Sequence, residues 1–497
     1  MAVKVVSGAL EGVDAIPIEV EVDLLRRLPA VSVVGLAHGA VKEAAERVRS
    51  AIQSADLTFP RKRVVVNLAP ADVRKDGTAF DLPVAIGILA ADGAVPVGRL
   101  NELLVVGELS LGGGLRPVRG ALALALLARA LDKTLVLPTE AARAAALVPG
   151  VRVLGAGSLA EVVAWMRGEL ELLAPAPQEA LPRPATVDLS EVRGQGLARR
   201  ALEIAAAGAH HLHMTGRPGC GKSMLAHRLP TILPSLTPEE ALDVTRIHSV
   251  ARLLPPGAPL VRTRPFRAPH HTVTGAGMVG DLSLRPGELS LAHQGVLFLD
   301  EATEFSRVVL EQLRTPLEEG VVRLRRARGA VTYPAAFTLV MASNPCPCGN
   351  RGSDLPCQCT DGEVARYRRR LSGPILDRVD LHVELRAVAP DELLSAVEGE
   401  SSEQVRQRVT EARSRQLARG QKVPNGRLSA AEVELHVQLV PEARVLLVQA
   451  GEQYGLSGRA LTRVMKVGRT IADLAGTPVV ERPHIAEALA FRPLEEV

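Results

Sequence analysis

Eight consecutive residues, Gly216-Arg217-Pro218-Gly219-Cys220-Gly221-Lys222-Ser223, constrain the fold of this chain more than any other feature. They fit G-x-x-x-x-G-K-[ST], follow an apolar segment (Leu212 to Thr215) and precede a helix-forming stretch that Met224 opens. A strand, a glycine loop and a helix in that order surround a polyphosphate with backbone N–H groups and a positive helix terminus. Lys222 then reaches the β- and γ-phosphates, and the Ser223 hydroxyl ligates Mg²⁺. A flexible glycine-rich turn meets the spacing but not the flanking pattern. Cys220 reads as a small residue accommodated among the glycines.

A second element completes the nucleotide chemistry. Gly295 to Leu299 is a buried-strand pattern ending in Asp300 and Glu301. Two adjacent carboxylates at a strand end can present one group to a metal and one to water, so Asp300 is expected to hold Mg²⁺ and Glu301 to polarise the attacking water. The strand pattern Phe337 to Ser343 ends in Asn344, an amide placed to contact the γ-phosphate or that water; an Asn after a strand is also an ordinary turn former.

Around this centre, 497 residues with 47% apolar content exceed what one core supports, and roughly 150 residues per domain predicts about three domains. Residues 1–171 alternate β-branched runs (Ile18 to Val22, Val31 to Val34, Arg63 to Leu68, Leu103 to Val106, Thr134 to Leu137) with Ala/Leu-rich stretches, which predicts a mixed α/β domain. Residues 172–187 turn to Pro and Ala and read as a linker. Over 188–390 strands alternate with helices, as in a parallel sheet. From 391 to 497 the periodicity is helical, predicting a small all-helical domain. No apolar run approaches the ~20 residues of a membrane span, and the N-terminus lacks a signal-peptide pattern, so a cytoplasmic location is expected.

Four of the five cysteines, Cys346, Cys348, Cys357 and Cys359, form two C-x-C pairs within one short segment. That is a thiol set for tetrahedral Zn²⁺, with reduced free thiols as the alternative. His210, His211 and His213, and likewise His270 and His271, cluster without a carboxylate or cysteine at supporting spacing, so no metal role is assigned to them. Arg323, Arg325, Arg326 and Arg328 alternate as on a hairpin. Such a hairpin meets a phosphate backbone or is a solvated edge whose charges prevent aggregation. With net charge only +4 and 2% aromatic residues, DNA binding would fall to such local arginines and not to base stacking.

Taken together, these motifs resemble the magnesium-chelatase-like AAA+ ATPases of the ComM/YifB family. The resemblance runs through Val192 to Gln195, the glycine loop, Phe266 to His271, Arg285 to His293, Gly295 to Glu301, Asn344 to Gly349, Leu371 to Arg378, Ser457 to Arg459 and Gly468 to Leu474. It implies an AAA+ core with a helical lid, Asn344 as sensor 1, Arg378 as an arginine finger acting on a neighbouring subunit, and Arg459 as the sensor 2 arginine. It also implies a homo-oligomeric ring, hexameric in number, whose arginine hairpin faces a central pore. The implied activity is ATP-driven DNA branch migration during natural transformation. The alternatives are the ATPase subunit of a magnesium chelatase, driving metal insertion, and a regulator that remodels proteins.

The N-terminal region resembles the α+β peptidase domain of Lon proteases. Lys75 to Asp81 stands at the nucleophile loop with Ala79 in place of the serine, Gly107 to Val118 matches the hairpin before the catalytic lysine, and Leu122 or Leu124 falls at the lysine position. None of these is a nucleophile or a base, so a non-proteolytic assembly or DNA-binding module is expected.

Overall fold

In the computed structural model the described residues are 2–34, 39–71, 78–176, 187–255, 258–326, 329–352, 355–371, 373–389 and 399–492. They fall into two compact units, Met1–Leu181 with Pro238–Arg262, and Pro182–Thr237 with Thr263–Val497. Part of the expected linker, 177–186, lies outside the described residues, as do Lys75 to Gly77 of the nucleophile-loop segment and Arg328 of the hairpin.

The first unit holds strands β1 (Val3–Glu11), β2 (Asp14–Leu25), β3 (Ala30–Val34), β4 (Arg63–Ala69), β5 (Leu103–Val105), β6 (Glu108–Leu109), β7 (Leu115–Arg116), β8 (Thr134–Pro138) and β9 (Val153–Ala156). Seven of them form a mixed sheet in the order β3-β4-β2-β1-β5-β8-β9. The helix Asp81–Ala91 is apolar all round and buried over nearly its whole length, as a core helix must be. Its buried Asp81 is held by Arg47 through a forked pair of hydrogen bonds at 2.9 and 3.0 Å. β6 and β7 pair antiparallel as the expected hairpin. Leu122 and Leu124 are 4% and 1% exposed, core side chains of the helix Ala121–Ala130. Pro238–Arg262 packs into this unit although sequence order places it inside the 188–390 region. Arg246 on its helix donates two hydrogen bonds to the Val13 carbonyl, at 3.1 and 2.8 Å.

The second unit is built on β10 (Leu212–Gly216), β11 (Phe266–Arg267), β12 (Val296–Leu299), β13 (Val321–Arg326), β14 (Gly329–Pro334), β15 (Thr338–Ser343) and β16 (Leu381–Leu385). Five of these make an all-parallel sheet in the order β11-β12-β15-β10-β16. Buried on both faces, β12 is apolar throughout and β15 is apolar from Leu339 to Ala342, as central parallel strands are. One hydrophobic core runs from Leu202 and Ile204 of the helix Gly196–Gly208 to Val409, Ile471 and Phe491 of the C-terminal helices, so the helical region shares its core with the sheet. A buried polar network crosses the same boundary. His210 is hydrogen-bonded to Asp380 at 3.1 Å and to Thr470 at 2.7 Å, and Asn425 donates to Asp473 at 2.8 Å. Among the described residues no helix is long and apolar enough to cross a membrane.

Candidate nucleotide site

Register assembles the site. Thr215 of β10 stands opposite Ser343 of β15, and Leu299 of β12 opposite Met341 of β15, in parallel pairs. The residues that follow, Gly216, Asn344 and Asp300, therefore emerge at the same carboxyl-end edge, where open parallel sheets bind ligands. A cleft of about 370 Å³ opens there, lined by the glycine loop, Met224, Asp300, Glu301, Ser343 and Asn344.

The loop takes its shape from glycine. Gly219 and Gly221 have φ of 80° and 95°, the left-handed region, so the chain curls back and enters the helix Lys222–Ile232 with its N–H groups around the cleft. Cys220 is buried within the loop beside Gly216, as its small size predicted. Lys222 Nζ donates to the carbonyls of Gly216 (2.6 Å) and Arg217 (2.9 Å) and to Asn344 Oδ1 (3.1 Å). Burial lowers its ammonium below the ordinary lysine range, against the opposing pull of Cys220, Asp300 and Glu301.

Ser223 Oγ donates to Asp300 Oδ2 at 2.7 Å. A hydroxyl and a carboxylate thus stand together as the hard oxygen donors that Mg²⁺ takes, so this donor set fits the ion. Glu301 has φ of 49°, a strained conformation for a residue with a side chain, and its carboxylate is 60% exposed. Its neighbour is His271, whose Nδ1 lies 4.0 Å from Glu301 Oε2. Two residues on, Thr303 Oγ1 donates to the buried Tyr367 hydroxyl at 2.7 Å.

The structure therefore brings together the glycine loop, Asp300, Glu301 and Asn344. Arg378 and Arg459 do not line the cleft. Arg378 pairs with Glu318 and the Pro374 carbonyl, and Arg459 is exposed at the start of the helix Gly458–Ala475. The three histidines of 210–213 have separate structural partners. His210 has Asp380 and Thr470, His211 accepts from the Leu339 amide at 3.0 Å, and His213 meets Ser343 at 2.8 Å. His271 beside Glu301 and Tyr367 bonded to Thr303 are contacts that no local pattern signalled.

The thiols of Cys346, Cys348, Cys357 and Cys359 all lie within 4.8 Å of one another. The separations are 3.4 Å (346–348), 3.7 Å (346–357) and 3.6 Å (348–357). Four sulfurs at about 2.3 Å from a tetrahedral zinc are about 3.8 Å apart, so the set fits that ion. Backbone hydrogen bonds from Asn350 and Gln358 push the Cys348 thiol down to about 6.

β13 and β14 form the expected antiparallel hairpin. Val322, Leu324, Val331 and Tyr333 bury one face, and Tyr333 donates to the Leu284 carbonyl at 2.6 Å. Arg323 on the outer face pairs with Glu319, whereas Arg325 and Arg326 near the tip are exposed with no carboxylate partner among the described residues.

Comparison with known proteins matches residues 188–393 to the family described as magnesium chelatase, subunit ChlI, residues 20–141 to subunit ChlI of Mg-chelatase, and residues 399–492 to the subunit ChlI C-terminal region. YifB of Escherichia coli is 43% identical over 493 residues, covering 98% of this chain and 96% of that protein. Competence protein ComM of Haemophilus influenzae is 41% identical over 497 residues, 98% of this chain and 97% of that one. The magnesium-chelatase 67 kDa subunit of Chlorobaculum tepidum is 25% identical over 298 residues, 58% of this chain and 40% of that one. Identity at that level along nearly the full length, over a sheet whose glycine loop, carboxylate pair and asparagine converge on one cleft, means that the chain belongs to the ComM/YifB family of magnesium-chelatase-like proteins.

Proposed function

We propose that this chain is a cytoplasmic AAA+ ATPase that assembles into a homo-oligomeric ring, hexameric by family resemblance, and couples ATP hydrolysis to movement of branched or single-stranded DNA. The observation that carries the ATPase reading is the single cleft shared by Lys222, Ser223, Asp300, Glu301 and Asn344. Backbone N–H groups of the glycine loop bind the phosphates, and Lys222 exchanges its two loop carbonyls for phosphate oxygens. Ser223 and Asp300 would hold Mg²⁺, which when bound offsets the charge of the β- and γ-phosphates. Glu301, exposed at the cleft, orients water and takes its proton, while Asn344 positions the γ-phosphate or that water.

Arg378 and Arg459 enter from outside the cleft in this reading, Arg378 from a neighbouring subunit and Arg459 from the helical lid. A mixing experiment tests it. Arg378→Ala and Lys222→Ala chains, each inactive alone, should regain part of the hydrolysis when combined, because an Arg378→Ala site next to a Lys222→Ala chain then faces an intact arginine. No recovery in mixed rings sinks the trans arrangement.

Two observations support the DNA reading, the exposed Arg325 and Arg326 on the hairpin and the similarity to the Haemophilus relative, a competence protein. Strand exchange on a mobile four-way junction with ATP, lost in Lys222→Ala, is the test. The rival, an ATPase driving metal insertion, is supported by the similarity to magnesium chelatase subunits; ATPase that ignores DNA at low salt would favour it over the DNA motor. We read the first unit, with Ala79 and either Leu122 or Leu124 where a Lon-type pair would stand, as a non-proteolytic assembly or DNA-binding module, and the four thiols as a Zn²⁺ site.

A further inference from the structure

The four-thiol loop is joined to the nucleotide cleft at three points. Covalently, Cys346 follows Asn344 by two residues. By packing, Gly349 in the loop lies against Pro218 of the glycine loop; a Cβ at Gly349 would sit 2.7 Å from Pro218 Cδ. The third link runs through the helix Asp361–Arg368. Its N-cap, Thr360, directly follows Cys359 and closes a capping box with Glu363. Near its other end Tyr367 accepts a hydrogen bond from Thr303, two residues past Glu301, and its hydroxyl also contacts the Asn344 backbone. Arg351 ties loop to helix, with its amide directed at Cys346 Sγ (3.4 Å) and its guanidinium paired with Asp361 at 2.9 Å.

The thiol loop therefore touches the phosphate-binding loop, the sensor asparagine and the catalytic glutamate's turn. Loops of this length have no apolar core of their own, so a metal that closes one restricts the unliganded chain, and its binding free energy becomes folding free energy of the loop. An N–H directed at a ligand sulfur is the supporting contact that metal sites use to orient their ligands.

We propose that zinc held by Cys346, Cys348, Cys357 and Cys359 braces the nucleotide cleft, so that loss of the metal lowers ATP affinity and turnover while the rest of the fold stays intact. Resting as it does on the nucleotide-site reading, the brace predicts a difference between zinc-loaded and zinc-free protein. Soft thiolates select zinc over Mg²⁺, so the two ions occupy separate sites in one unit.

The test uses the full chain purified without chelator. Zinc content is measured by mass spectrometry, followed by affinity for a fluorescent ATP analogue and turnover before and after zinc removal. One zinc per chain is expected, with at least a tenfold loss of turnover and a several-fold loss of affinity on removal, both restored by added zinc. Tyr367→Phe cuts the link to Thr303 without touching a thiol; it should keep its zinc, bind the analogue within about twofold of wild type and lose several-fold in kcat. Less than a fifth of an equivalent of zinc in the purified chain, or zinc-free protein with unchanged affinity and turnover, overturns the brace. Should the loaded protein bind nucleotide but never hydrolyse it, the ATPase reading fails, and the affinity change on zinc removal still decides the brace.

Discussion

Replacing Glu301 by Gln separates chemistry from binding and folding. The carboxylate is 60% exposed, and its neighbour, His271, is 4.0 Å away, beyond hydrogen-bond reach. Gln has nearly the same shape, so stability should change by no more than about 0.5 kcal/mol, about 2 °C or less in Tm. Nucleotide affinity should stay within about twofold, because the proposed phosphate contacts are those of Lys222 and the loop, not of Glu301. Turnover is another matter. A positioned general base contributes about 10²- to 10⁴-fold, or about 3 to 5 kcal/mol of barrier. Steady-state phosphate release, fluorescent-nucleotide binding and a thermal melt on the same preparation decide it. Turnover within threefold of wild type, with the melt unchanged, would refute the role of Glu301; loss of binding in parallel would mean that the residue holds the cleft together.

Lys222→Ala removes a cation that already has three acceptors, and charge-assisted contacts worth about 1.5–3 kcal/mol predict ATP binding weaker by about 10- to 100-fold in a titration. Arg325→Ala with Arg326→Ala should weaken DNA binding on all sequences and flatten the slope of log affinity against log salt by about 0.7 to 0.9 per lost phosphate contact; an unchanged slope places the DNA elsewhere. Burial pushes His213 down to about 4 from its ordinary 6.5, so the unfolded chain binds the proton that the native one refuses. The stability this group contributes is complete above pH 6.5 and is lost as pH falls toward 4, by on the order of 3 kcal/mol. Urea midpoints at pH 7.5 and 5 should converge in His213→Gln relative to wild type.

Much of the site is legible in the sequence because its chemistry is local. The glycine loop needs eight neighbouring residues with a strand before and a helix after, and Asp300 and Glu301 need one apolar strand to end. The hairpin at Arg323 to Arg326 follows from alternation, and the thiol pairs from spacing. Other assignments depended on partners far along the chain. The histidines at 210–213 look alike on paper, yet Asp380, Leu339 and Ser343 give them three different roles, and those neighbours lie 128 to 170 residues further along the chain.

The sequence by itself determined that a strand, a glycine loop and a helix follow one another in the order of a phosphate-binding loop, and that two carboxylates and an amide follow buried strands. Tertiary structure decided that they meet, since only the parallel register of β12, β15 and β10 brings Asp300, Asn344 and Gly216 to one edge. It also decided pairings that sequence order does not give. Tyr367 reaches Thr303 across 64 residues, and Pro238–Arg262 joins the first unit against sequence order. Period and propensity act over a turn or a strand, whereas the identity of a packing partner is set by which elements the whole chain brings together.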